Sequence, residues 1–226
     1  MVRKQRAIVT GSSGFIGSAL VCYLAEAGWD VVAVDRHSFS GKGITGIQMD
    51  VTAPGSLRTL LTPGAVIFHL AASANVAASV QNPRHDLLNT FEGLFEVLEA
   101  ARSGGCQLVF PSTASVFDPG QPLPLSERAF PKPTSPYGAA KLAGEAYCYA
   151  YYRSYGVDVR IARLFSVYGV GMRRFAIHDL IRKVQANPLE LEILGDGSQV
   201  RDYLYVDDAV RGLVTIATSG TAGEDY

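Results

Sequence analysis

Short runs of uninterrupted apolar residues alternate along this chain with longer stretches of helical spacing. Ala7-Ile8-Val9-Thr10 is the first apolar run and leads into a glycine-rich segment. From Phe15 to Ala27, the residues Ile16, Leu20 and Leu24 recur at four-residue steps, the spacing of one helical face, and Gly28 stops the helix just past its end. The runs Asp30 to Asp35, Gly46 to Asp50, Gly64 to Leu70, Cys106 to Phe110 and Val157 to Leu164 read as five further strands. Long helices are predicted over 83–103 and 135–155. Strands of continuous Val, Ile and Leu are buried on both faces, and their alternation with helices makes them parallel. The pattern therefore predicts a doubly wound α/β sheet. Six prolines punctuate Asp118 to Pro136, which reads as a surface loop long enough to carry function. After residue 165 the elements shorten to a helix near 174–186 and a strand near 190–194.

Composition narrows the classes. With 226 residues, 48% hydrophobic and 18% charged, the chain can build a sizeable core and is not a disordered tail. Lys plus Arg number 20 and Asp plus Glu 21, a net charge of -1, so no global basic field draws it to nucleic acid or an anionic membrane. No apolar stretch is long enough for a membrane span, and the basic start lacks a signal-peptide core, so a cytoplasmic protein is expected. Cys22, Cys106 and Cys148 fit no zinc spacing and read as three buried thiols in a reducing compartment.

The chemistry starts at Thr10-Gly11-Ser12-Ser13-Gly14-Phe15-Ile16-Gly17, a G-x-x-G-x-x-G run between a strand and a helix. Glycines allow a tight turn and close backbone approach to a pyrophosphate, and the helix start points free N–H groups at it. The next strand ends in Asp35, 18 residues after Gly17, which can accept hydrogen bonds from ribose hydroxyls and would repel a 2′-phosphate. NAD is therefore expected over NADP, although the neighbouring Arg36 could pair with such a phosphate. Asp50, at the end of the third strand, and Leu70-Ala71-Ala72, at the end of the fourth, belong to the same crevice. His69 reads as a core histidine.

Tyr137 and Lys141 stand four residues apart at a helix start and share one face. A nearby ammonium favours the phenolate, giving a base that takes a hydroxyl proton while hydride leaves for the cofactor. Ser112 and Thr113, placed just past the fifth strand, are both candidates to hydrogen-bond the same substrate oxygen.

These residues resemble the extended short-chain dehydrogenase/reductases, and most nearly the NAD-dependent epimerase/dehydratase group that includes the UDP-glucose 4-epimerases. The resemblance rests on Thr10 to Gly17, Asp35, Asp50-Val51, His69 to Ala72, Asn89, Ser112 to Val116, Tyr137 to Lys141, Ala162 to Phe165 and Gly195 to Tyr203. It implies a Rossmann domain over 1–165, with 166–226 as a partial substrate lobe interleaved with it. It implies NAD held by Gly11, Gly14, Phe15, Ile16, Gly17, Asp35, Arg36, Asp50, Val51, Leu70, Ala71, Ala72, Asn89, Tyr137, Lys141 and Phe165. Thr113, Tyr137 and Lys141 take the catalytic positions, and Thr113, Ser166 and Arg201 the substrate positions, Arg201 on the pyrophosphate of a UDP-sugar. Dehydratases and UDP-glucuronate decarboxylases of the family carry an acid directly after the catalytic Thr, where this chain has Ala114 and Ser115. A nucleotide-sugar epimerase is the leading reading, with a 4-ketosugar reductase and a non-catalytic dinucleotide-binding module or fragment as alternatives. Phe117-Asp118 replaces the family's usual Tyr-Gly, Ser166 replaces an Asn, and the chain is shorter than family members, so either a truncated product or a reduced substrate site is expected. A homodimer is expected through the helices near 83–103 and 137–155, with Tyr147, Tyr151, Tyr152 and Tyr155 on the second; core packing of these tyrosines is the competing expectation.

Overall fold

A computed structural model of the chain describes residues 4–39, 41, 44–193 and 195–226. Six strands form one parallel sheet: β1 (Arg6–Thr10), β2 (Asp30–Asp35), β3 (Thr45–Gln48), β4 (Val66–His69), β5 (Gln107–Thr113) and β6 (Val159–Leu164), in the order β3-β2-β1-β4-β5-β6. The order reverses between β1 and β4, and a ligand crevice opens outside the carboxyl ends of strands at such a point. Alternate residues of each strand feed two cores. Ile8, Val32, Val34, Ile67, Leu108 and Phe110 face one side, against α4 (Gly93–Gly104) and α5 (Pro136–Tyr155). Ala7, Val9, Ala33, Phe68 and Val109 face the other, against α1 (Phe15–Glu26) and α7 (Val206–Ser219).

The helix predicted over 83–103 is a composite. It comprises α3 (Pro83–Leu87), a wide π turn (Leu88–Glu92) and α4, preceded by the short α2 (Val76–Gln81). β5 runs on to Thr113, so the hydroxyl cluster ends the strand rather than following it. Beyond β6, β7 (Ser166–Tyr168) and β8 (Tyr203–Tyr205) pair in parallel around α6 (Ala176–Ala186). The strand expected near 190–194 is not formed at 190–193, where Glu190, Leu191 and Ile193 are exposed; Leu194 lies outside the described residues. α7 was not anticipated. It buries Val210, Leu213 and Ala217 on the sheet because these residues recur at helical spacing.

The last residues run beside β6. Gly223 N donates to Val159 O, Ile161 N to Glu224 O, Tyr226 N to Ile161 O and Arg163 N to Tyr226 O, at 2.7–3.1 Å. Cys106 and Cys148 are buried but Cys22 is exposed, against the expectation of three buried thiols. Tyr151 is buried, its hydroxyl donating to Glu99 at 2.7 Å, whereas Tyr147 and Tyr155 are exposed. The two expectations for these tyrosines thus divide residue by residue.

Candidate active site

The glycine-rich turn is built by contact as much as by conformation. Gly11 adopts φ +71°, and a Cβ on Gly17 would lie 2.1 Å from the Gly11 carbonyl oxygen. Only a side-chain-free residue lets α1 start this close to β1. The turn borders a cavity of about 540 Å³ lined by Gly11, Ser13, Gly14, Asp35, Arg36, Val51, Leu70, Ala71 and Asn89, together with Ala72, Ser73 and His85 among others. A cavity of about 750 Å³ at the opposite ends of the strands, by Trp29 and Tyr155, holds none of the predicted site residues.

Asp35 ends β2 at this cavity, with its carboxylate accepting from Ser13 N at 3.0 Å and His37 N at 2.9 Å. Burial works to raise its pKa, and the His37 and Ser13 hydrogen bonds outweigh that effect and hold it below the usual value. Arg36 turns toward Asn89, donating to its Oδ1 at 2.8 Å and to Asp50 Oδ1 at 3.1 Å. Asp50 is also tied into a local turn by Thr52 N and Oγ1, and these bonds depress its pKa. It therefore holds Arg36 at the rim and does not itself line the cavity; nor do Phe15, Ile16 and Gly17. Ser13, His37 and Ser73 were not singled out from sequence; Ser13 lies within the glycine run and Ser73 directly after Ala72.

The catalytic candidates meet where β5 ends. Side chains alternate along a strand, so Ser112 and Thr113 point apart. Ser112 is buried and donates to Glu145, a residue of α5. Thr113 lies beside the Tyr137 hydroxyl and accepts from Ser115 N at 3.2 Å. Ser135 caps α5, accepting from Gly138 N at 3.1 Å, and Pro136 opens its first turn. A Cβ on Gly138 would meet the Ser115 carbonyl oxygen at 2.2 Å, so α5 seats directly on the turn after Thr113. Ser79 of α2, absent from the sequence reading, accepts from Tyr137 N at 3.2 Å.

Tyr137 departs from expectation. Burial pushes its phenol above the ordinary value, with Thr113 and Arg174 acting downward and Asp86 upward. Lys141 does not draw it down. Its ammonium instead donates to Pro111 O at 2.8 Å and lies 4.6 Å from the centre of the Phe110 ring. Burial brings Lys141 down to about 8, against the opposing influence of Cys148, Asp86 and Glu145. His69 is buried, bonded through Nδ1 to Thr10 Oγ1 at 2.8 Å, with Nε2 unpartnered; burial lowers it to about 3.

The cofactor candidates Tyr137, Lys141 and Phe165 and the substrate candidates Ser166 and Arg201 do not line the cavity at the glycine-rich turn. Phe165 is half-exposed after β6, and Ser166 N donates to Asp202 O at 3.3 Å, which brings Ser166 close to the Arg201 segment. Arg201 is exposed, donating to Val200 O, and no ion pair joins it to Asp202 or Asp207 among the described residues. Arg174, in the loop before α6, reaches Tyr137 electrostatically and was not legible from sequence.

The Gly11 turn, Asp35 and the backbone after β4 together fit a dinucleotide. A Cβ at Gly11 would fill the approach to Ala71 N at 2.6 Å, so the cradle itself requires glycine. Comparison with known proteins accords with this geometry. The model of the NAD dependent epimerase/dehydratase family matches residues 7–226. The chain is 36% identical to an uncharacterized UDP-glucose epimerase, YtcB, of Bacillus subtilis, over 94% of this chain and 72% of that protein. It is 32% identical to a UDP-glucuronate 4-epimerase of Thermodesulfobacterium geofontis, over 92% and 70%. The structure of MoeE5 in complex with UDP-glucuronic acid and NAD superposes with a TM-score of 0.88 at 34% identity, over 97% of this chain and 74% of that one. UDP-glucuronic acid decarboxylases and a probable dTDP-glucose 4,6-dehydratase are relatives as well. The chain therefore belongs to the NAD-dependent epimerase/dehydratase family of extended short-chain dehydrogenase/reductases, and its cofactor is NAD.

Proposed function

We propose that this protein is a nucleotide-sugar 4-epimerase acting on a UDP-sugar. The observation that carries the reading is the Thr113, Tyr137 and Lys141 constellation at the end of β5, followed by Ala114 and Ser115 where related dehydratases and decarboxylases place an acid. Tyr137 takes the proton of the sugar C4 hydroxyl while Thr113 hydrogen-bonds the same oxygen. NAD, when bound, would supply a reversible hydride acceptor for the sugar C4 and a positive ring that favours the Tyr137 phenolate. Tyr137 then returns the proton once the ketosugar has turned over, so no net oxidation occurs. Lys141 would hold the nicotinamide ribose and Phe165 would lie against the nicotinamide, with Ser166 and Arg201 of the 166–226 lobe available to the sugar nucleotide. A guanidinium fork suits pyrophosphate oxygens.

The test is incubation with UDP-glucose, UDP-N-acetylglucosamine, UDP-glucuronate and their 4-epimers. Interconversion without net absorbance change at 340 nm is expected, and Tyr137→Phe is expected to lose at least a hundredfold in rate with NAD still bound. Stoichiometric NADH formation or consumption would replace the reading with a reductase. No conversion of any sugar nucleotide by a folded, NAD-loaded protein would refute it.

We assign self-association to α4 and α5. Phe95, Tyr147 and Tyr149 are exposed there, and Phe91 packs edge-on against Tyr147 at 4.8 Å. Phe95→Glu is expected to shift a dimer to monomer in sedimentation velocity.

A further inference from the structure

Lys141 is a buried ammonium whose hydrogen-bond partner is one carbonyl, that of Pro111. A charge in that position sheds its proton unless an opposite charge faces it. The ionisable groups around it come from three elements. Glu145, on its own helix, already has both carboxylate oxygens engaged by Arg163 and Ser112. Cys148 is a buried thiol held in its neutral form by burial. His69 of β4 is likewise neutral, since burial brings it down to about 3.

That leaves Asp86. It sits on α3, which packs against α5 at the inner wall of the cofactor cavity, beside His85, which lines that cavity. Asp86 is 2% exposed, and neither carboxylate oxygen has a hydrogen-bond partner. Ser73 lies nearby but outside bonding geometry. Burial holds the Asp86 carboxyl above the usual carboxylate range, with Ser73, Lys141 and His85 acting downward; Asp86 in turn favours the charged Lys141 and acts upward on Tyr137.

We propose that Asp86 is a positioning residue of the active site, the buried counter-charge on α3 that steadies the Lys141 ammonium of α5 in its proposed place against the cofactor. This rests on the catalytic assignment above, but its test does not require turnover. Lysine labelled with 13C at Cε gives few signals, because the chain has five lysines; Lys141→Met identifies the one of interest. Asp86→Asn is expected to lower the Lys141 titration midpoint by about one pH unit, the scale of a lost neighbouring charge. An unchanged midpoint in folded Asp86→Asn would overturn the proposal. Coupling is reciprocal, so Lys141→Met must raise the Asp86 carboxyl midpoint, read by 13C at Cγ. That second measurement decides the matter if Asp86→Asn fails to fold, and an unmoved Asp86 midpoint would overturn the proposal. With an active substrate in hand, the alkaline limb of the pH–rate profile of Asp86→Asn should move to lower pH by the same amount. A uniform loss at every pH beside an unmoved Lys141 midpoint would again overturn it. If no substrate is turned over, the catalytic assignment fails while the titrations still report on Asp86.

Discussion

The behaviour of single residues here follows from burial combined with partners drawn from distant segments. Tyr137 and Lys141 were legible at once, because a four-residue spacing fixes a shared helical face whatever surrounds it. Their electrostatics were not, because Asp86 and Arg174 reach them from separate segments and Glu145 of their own helix is committed to Arg163. Arg163 shows how tightly the surroundings are bound. It bonds Glu145 at 2.7 Å, donates to Glu127 O at 3.0 Å and pairs with Asp225. Glu145→Gln leaves the buried guanidinium with Asp225 as its remaining carboxylate partner, so it should cost about 2–3 kcal/mol in urea unfolding. The same change should also disturb Ser112, next to Thr113, and a stability loss under 1 kcal/mol would show that the pair is dispensable.

Elements are placed by what their ends meet. α5 begins at Ser135, Pro136 and Gly138, and each makes a distinct contribution: a side-chain cap, a preset first turn and an opening for the Ser115 carbonyl. A methyl at Gly138 has no room, so Gly138→Ala should shift the Tyr137 end of the helix away from Thr113. We expect a loss of at least tenfold in the proposed epimerisation with a smaller loss in NAD affinity, since the Gly11 turn lies elsewhere; equal losses in both would argue for general unfolding. Ser135→Ala, by contrast, should cost about 1 kcal/mol in thermal or urea unfolding. The strands were readable because continuous apolar runs mark burial on both faces, as in the fully buried β4. β7, β8 and α2 escaped notice because three to six residues carry too little periodicity to register.

At the scale of the molecule, the doubly wound sheet followed from the alternation of elements, whereas α7 and its return onto the sheet did not, since the spacing of Val210, Leu213 and Ala217 does not declare which face they cover. Global stability carries the mark of His69. The unfolded histidine binds a proton near pH 6.5, but the buried one does so only near 3, so stability is lost as pH falls through that window. Between pH 7 and 4.5 the loss attributable to His69 should be about 2–3 kcal/mol. His69→Gln should flatten that part of the urea-midpoint profile, and an unchanged slope would place the acid sensitivity elsewhere. The last four residues, which run along β6, have a further consequence. β6 is an outer strand, and a strand with its N–H and C=O groups open recruits other chains. The Gly223 to Tyr226 segment occupies those groups and so acts as a guard against intermolecular pairing. Removing it also takes Asp225 from Arg163 and should yield a protein that scatters light and grows into oligomers as concentration rises.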